Sequence, residues 1–164
     1  HPRQLADTLG SLAPEGKIRA VGNTNHTPAQ HDAFVAHLDV PLATSQPEYS
    51  PAFLGPMRDG TFDRCMRDGV VPLAWSPLGG GRLMSGDGVP PALIATLDEL
   101  AGRESVDRAT ICYAFVLAHP SAPVALLGTQ NPDRLRSAVA ALDVRLDRVD
   151  VYRIVQDSEG VALP

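Results

Sequence analysis

The residues best able to do chemistry lie in one run, Val70-Val71-Pro72-Leu73-Ala74-Trp75-Ser76-Pro77-Leu78-Gly79-Gly80-Gly81-Arg82-Leu83. Three consecutive glycines carry no Cβ, so their backbone N–H groups can approach and converge on an anion. Trp75, the only Trp, offers a flat face to a ring, and Arg82 offers a two-pronged fork to a phosphate. Ser76, Pro77 and Leu78 join the two. The combination reads as the ring-and-phosphate end of a nucleotide site. A flexible Gly connector beside a core Trp is the plainer alternative.

Three other stretches carry groups of the same kind: Thr24 with Asn25, Gln46, and Gly128-Thr129-Gln130 with Arg134. The amides of Asn25 and Gln46 can both donate to and accept from a carboxamide. Gly128-Thr129 precedes Asn131-Pro132, a cap with Pro at the first helical position, where free N–H groups and the helix dipole favour phosphate. Arg134, inside the first turn, can add a bidentate contact. Acid–base chemistry has the candidates His1, His26, His31, His37 and His119. His31 and His37 fall on the surface of an expected helix, His119 at a helix stop, and only His26 stands beside Asn25. Lys17, the single lysine, precedes the first strand and is no partner for Tyr49. No catalytic set and no metal pattern emerges.

Positioning these groups requires strands that end together. Apolar runs predict strands over Ile18–Gly22, Val40–Thr44, Val70–Ala74 and Ala122–Leu127. Helical spacing and caps predict helices over His1–Glu15, from Thr27 through Leu38, around Phe62–Arg67, over Ala92–Gly102, and over Val106–Ala118 with Ser105 as cap. Two more follow, from Asn131 through Leu142 and over Val149–Val155, with Asp157–Pro164 as tail. Strands alternating with helices imply an α/β fold with a parallel sheet and right-handed crossovers. Polar residues at each strand's C-terminal end suit a barrel-type site.

At 164 residues and 44% apolar content the chain fits one domain over 1–164 with a core of its own. A net charge of −5 without a basic run argues against nucleic acid, and no apolar run is long enough to span a membrane. Isolated Cys65 and Cys112 suit a reducing, cytoplasmic compartment. No signal peptide is read at the start. A first residue that is His raises the expectation of a processed start or a longer parent protein.

Four segments together resemble the aldo-keto reductase family, in its bacterial oxidoreductase form: Gly16–Asn25, Gln46–Pro51, the Ala74-Trp75-Ser76-Pro77-Leu78-Gly79-Gly80-Gly81 run, and Gly128–Leu135. The resemblance implies a (β/α)8 TIM barrel binding NADP(H) in an extended pose and reducing a carbonyl to an alcohol. It implies that Thr24, Asn25 and Gln46 hold the nicotinamide carboxamide and that Trp75 stacks on the ring. Ser76 to Arg82 would follow the pyrophosphate, and Thr129, Gln130 and Arg134 would surround the 2′-phosphate. Ser137 and Ala138 stand where many members put Glu and Asn on the adenine, His26 where Phe is usual, Ser45 where Asn is, and Pro47 where Val is. The family's catalytic Asp, Tyr, Lys and His belong to earlier strands, and a complete barrel takes about 250 residues. The expectation is therefore the C-terminal, cofactor-binding half of such an enzyme. A half-barrel that is inactive and pairs with another copy, or with the absent half, is the rival reading. A barrel enzyme for a phosphorylated substrate ranks third, since it leaves Asn25, Gln46 and Trp75 idle.

Overall fold

Local chemistry sets the helix starts. Thr27 and Gln30 form a reciprocal capping box at the head of a helix that opens with Pro28, and Asn131 accepts from the amides of Asp133 and Arg134 just after Pro132. The computed structural model describes residues 1–162. In chain order its elements are α1 (Pro2–Leu12), β1 (Val21–Thr24), α2 (Pro28–Val35), β2 (Leu42–Gln46), α3 (Gly55–Arg58), α4 (Thr61–Asp68) and β3 (Val71–Ala74). After a 3-10 turn (Gly79–Gly81) come α5 (Arg82–Ser85), α6 (Pro91–Glu104), α7 (Arg108–Leu117), β4 (Val124–Ala125), α8 (Pro132–Val139), a second 3-10 turn (Ala140–Leu142) and α9 (Arg148–Glu159).

The strands form one sheet in the order β1-β2-β3-β4, every pair parallel. Parallel pairing puts all four C-terminal ends at one edge. Alternation then divides the faces. Val21 and Asn23 of β1 and Pro72 and Ala74 of β3 turn toward the helices and are buried. On the other face Gly22, Thr44 and Val71 pair in one row, and Val71 and Val124 remain 43% and 48% exposed. The core lies between sheet and helices. Its larger part gathers Tyr49, Phe62, Leu83, Leu97, Phe115 and Ile154, and a second cluster joins Ala6, Phe34 and Val70 under β1. No helix of the described residues is long and apolar enough to cross a membrane.

Several boundaries differ from expectation. The strand expected at Ile18–Gly22 runs Val21–Thr24, and that at Val40–Thr44 runs Leu42–Gln46. Pairing decides both, since the ladder opens at Val21 with Leu42, just past Pro41, which has no N–H to give. Thr24 and Gln46 are thus strand residues. The last strand is only Val124–Ala125, because Ala122 sits at φ +50° and Pro123 again lacks a donor. Ser105 does not cap α7. It closes α6 in a left-handed conformation, and Asp107 caps α7 with its carboxylate on the Thr110 amide at 2.7 Å. The four-residue helices α3 and α5 were too short for periodicity to reveal. The expected tail begins as helix: α9 continues to Glu159, where Arg58 grips the carboxylate at 2.9 and 2.7 Å, and Gly160 ends it. Leu163 and Pro164 of that tail lie outside the described residues.

Candidate functional site

The amide pair and the indole meet at the ends of β1, β2 and β3. Trp75 donates its backbone N–H to the Pro47 carbonyl at 3.0 Å and its indole Nε1–H to Asn25 Oδ1 at 2.8 Å. Asn25, held at φ +55°, donates its own N–H to the Gln46 carbonyl at 3.2 Å, and the Thr24 hydroxyl donates to the same oxygen at 3.1 Å. Thr24, Asn25, Gln46 and Trp75 are therefore one hydrogen-bonded group. Gln46 enters it through its backbone carbonyl.

Beyond Trp75 the chain turns sharply. Ser76 sits at φ +50°, and Gly79, Gly80 and Gly81 follow at +60°, +66° and +95°, a left-handed run of three that glycine adopts without strain. The Gly79 and Gly81 amides donate back to the Ser76 and Leu78 carbonyls at 2.7 and 3.0 Å. The glycines thus make a tight 3-10 turn, and two of their N–H groups are already satisfied. Arg82 folds back as well, donating from Nε to the Gly79 carbonyl at 3.1 Å.

A cleft of about 730 Å³ opens beside this turn. Ser76, Pro77, Leu78, Gly80 and Gly81 line one side, and Gly128, Thr129 and Arg134 line another. A Cβ added at Gly80, Gly81 or Gly128 would meet nothing within 4 Å, so the backbone there faces open space. Gly79, Arg82 and Gln130 stand outside the lining, as do Thr24, Asn25, Gln46 and Trp75, which reach it only through Ser76. The head of α8 is also altered. Asn131 Oδ1 already accepts from the Asp133 and Arg134 amides at 2.8 and 3.3 Å, which spends two donors a phosphate could have used. What sets Arg134 apart is its place: it is the one basic residue in the cleft lining, and, like Arg3, Arg19, Arg82, Arg145 and Arg148 and unlike the other seven arginines, it has no carboxylate partner among the described residues.

One wall was not foreseen. Asp107, Ala109, Thr110 and Tyr113 of the α7 segment line the cleft, whose lining also includes Ser137 and Ala138 of α8, the positions that the family resemblance sets at the adenine. Arg108 fixes that wall by donating to the Leu83 and Met84 carbonyls at 2.9 and 3.3 Å while gripping Asp98 at 2.6 Å. An Asp beside a helix start reads only as a cap, so no sequence signal marked it as lining.

The acid–base candidates have other employment. The Asn23 amide nitrogen stands 3.2 Å from His26 Nδ1 and 3.3 Å from His31 Nδ1, an arrangement that needs both nitrogens unprotonated if the amide donates to each. Burial and then the neighbouring His31 lower the His26 pKa. His31 is buried, at 5% exposure, instead of lying on a helix surface. The Tyr49 hydroxyl donates to Met57 Sδ at 3.1 Å in the core, where burial raises its pKa, and Lys17 pairs with Glu15 at 2.7 Å. Cys65 is buried with its thiol pushed up to about 11, chiefly by burial, so it stays un-ionised at neutral pH.

A model described as the Aldo/keto reductase family matches residues 1–158. The chain belongs to the aldo-keto reductase family. Among curated members it is 38% identical to the 6-dehydroglucose reductase of Novosphingobium aromaticivorans, covering 100% of this chain and 54% of that one. It is 36% identical to the Escherichia coli oxidoreductase YdhF, over 98% of this chain and 54% of YdhF. The chain thus spans about half the length of the relatives it matches. The fold follows that of a thermostable aldo-keto reductase crystallised with the inhibitor epalrestat, at a TM-score of 0.86 and 22% identity, over 96% of this chain and 55% of that one. Four parallel strands with their helices are thus half of an aldo-keto reductase barrel.

Proposed function

We propose that this chain supplies the dinucleotide-binding half of an NADP(H)-dependent aldo-keto reductase, which reduces a small carbonyl compound to an alcohol in the cytoplasm. The observation that carries the reading is the cleft, which unites the Ser76–Gly81 turn, the Gly128–Thr129 loop and Arg134, its one basic lining residue, in one pocket. Its volume falls in the range of about 300–1,000 Å³ usual for small-molecule sites. The turn would carry the pyrophosphate, Arg134 and Thr129 the 2′-phosphate, and the Thr24–Asn25–Gln46–Trp75 group the nicotinamide end. When bound, the dinucleotide supplies hydride. The residues of this chain bind and orient it. Asn25 keeps its Nδ2 donors for a carboxamide while the indole fixes its Oδ1. The proton donor is assigned to the half of the barrel that this chain does not span.

All of the proposed contacts lie within this chain, so binding can be measured on it. Titration with NADPH should quench the single Trp. Trp75→Ala should weaken NADPH and NADH alike by about 1 kcal/mol, the worth of an aromatic stacking partner. Unchanged affinity would remove Trp75 from the site, and no binding to the wild-type chain would remove the cofactor reading.

The exposed sheet face supports a second role. Interiors of closed barrels are filled by layers of side chains from alternate strands, yet Val71 and Val124 stand in the open. The isolated chain is expected to cover that face with a second copy, as a longer protein would with the rest of the barrel. Sedimentation should then report a dimer or larger species. A stable, well-folded monomer contradicts it.

A further inference from the structure

The α7 wall of the cleft gives it a chemical polarity. Asp107, Thr110 and Tyr113 recur every three residues and so share one helix face, which runs about 9 Å from first to last at 1.5 Å per residue. At the start, Asp107 Oδ1 accepts from both the Thr110 amide and the Thr110 hydroxyl, each at 2.7 Å. Two consequences follow. Asp107 Oδ2 has no partner among the described residues, and Thr110 Oγ1, having given its proton away, presents only lone pairs. Two acceptors therefore stand together, with no donor of their own to offer. At the far end Tyr113 lies close enough to Arg134 for that cation to favour its phenolate, although burial has the larger, opposite effect. Leu78 and Ala109 supply apolar surface to the same cleft.

A ligand that fits must carry an anion at the Arg134 end, a flat apolar body, and an amine at the Asp107 end. We infer that Asp107, with Thr110 beside it, sets the base specificity of this site by accepting the exocyclic amine of a 6-aminopurine and rejecting a 6-oxopurine. The inference rests on the dinucleotide reading of the cleft. The other candidates discriminate less: the Ser137 hydroxyl and the Tyr113 phenol can each donate or accept, and Ala138 offers no polar atom. A 6-oxo group would set its own lone pairs against the exposed Asp107 carboxylate and the buried Thr110 oxygen, and it would leave the donor that the two acceptors call for unsupplied.

The experiment compares NADPH with its hypoxanthine analogue, in which the 6-amino group is replaced by oxygen, by calorimetric titration of the wild-type chain and of Asp107→Asn. Asn is as good a cap as Asp, and the helix amide holds its Oδ1, so Nδ2 replaces the free oxygen with a donor. The wild-type chain should bind NADPH about tenfold or more tightly than the analogue, the scale of one charge-assisted hydrogen bond. In Asp107→Asn that preference should vanish or invert while the melting temperature holds. If the variant fails to fold, Asp107→Ser, also a competent cap, should lose the preference in its place. Preference retained in the folded variant, or absent in a wild-type chain that binds NADPH, overturns the inference and leaves the cofactor reading standing. If wild type binds neither dinucleotide, the cofactor reading falls and this inference with it.

Discussion

Arg134→Ala should weaken NADPH binding by about 1–3 kcal/mol, a factor of roughly 5 to 150, and leave NADH nearly unchanged. The size follows from what else could hold a 2′-phosphate there. The two first-turn amides of α8 that might have served are already on Asn131. Arg136, two residues on, pairs with Asp133 at 2.7 Å. Arg82 gives its Nε to Gly79 and stands outside the cleft lining. Arg134 is thus left as the cation of the cleft, and its loss removes the fork without a substitute. Its exposure places the effect under salt control, because surface charge is screened within about 8 Å at physiological ionic strength. The titration belongs at low salt. Arg134→Lys should fall between, keeping the charge but not the bidentate geometry. Equal losses of NADPH and NADH would contradict the 2′-phosphate assignment.

The sequence revealed the features governed by nearest neighbours. Thr27-Pro28 and Asn131-Pro132 start helices because a cap and its amides lie within three residues of each other. The strands were found, but β1 and β2 are displaced by two or three residues, since they end where their mutual pairing ends, at Thr24 and Gln46, and not where apolar residues do. The turn and the Arg134 segment were legible as loops rich in glycine and basic residues. How those groups spend their hydrogen bonds was not. The fold-back of Arg82 depends on the left-handed geometry of the glycine turn, which brings the Gly79 carbonyl within reach of its Nε. The α7 wall was invisible for a related reason. Asp107 and Tyr113 lie far along the chain from Ser76, and only the packing of α7 against α5, pinned by Arg108, turns a cap residue into cleft lining. His31 misled in the same way: a polar residue in a short helix reads as surface until Asn23 appears beside it.

Asp150→Asn should destabilise the chain by about 2–3 kcal/mol at neutral pH, a large share of the 5–15 kcal/mol typical of a domain. Asp150 is 5% exposed and receives Arg103 of α6 in a bidentate pair at 2.8 and 2.7 Å. It also completes the capping box of α9, its Oδ2 accepting from the Asp147 amide at 3.1 Å. One carboxylate thereby both starts α9 and ties it to α6 over the buried Ile154 and Leu97. Arg103 keeps Glu104 at 2.7 Å and is half exposed, so the charge left behind is not stranded. The loss therefore lies below the extreme for a broken buried pair. The pH dependence fixes the cause. The Arg103 hydrogen bonds hold the Asp150 carboxyl below its usual range against the opposing effect of burial, with help from the Asp147 amide. A carboxyl whose folded pKa is depressed contributes fully above the unfolded value of about 3.9 and loses that contribution as pH falls through the folded value. Urea unfolding midpoints of wild type and Asp150→Asn should therefore differ most near pH 7 and converge in acid. Asp98, paired with Arg108, titrates in the same direction, but it does so in both proteins and cancels from the difference. A gap that stays constant from pH 7 down to the acid limit would mean that the carboxylate's charge contributes nothing, and that the Asn substitution acts through packing or the cap alone.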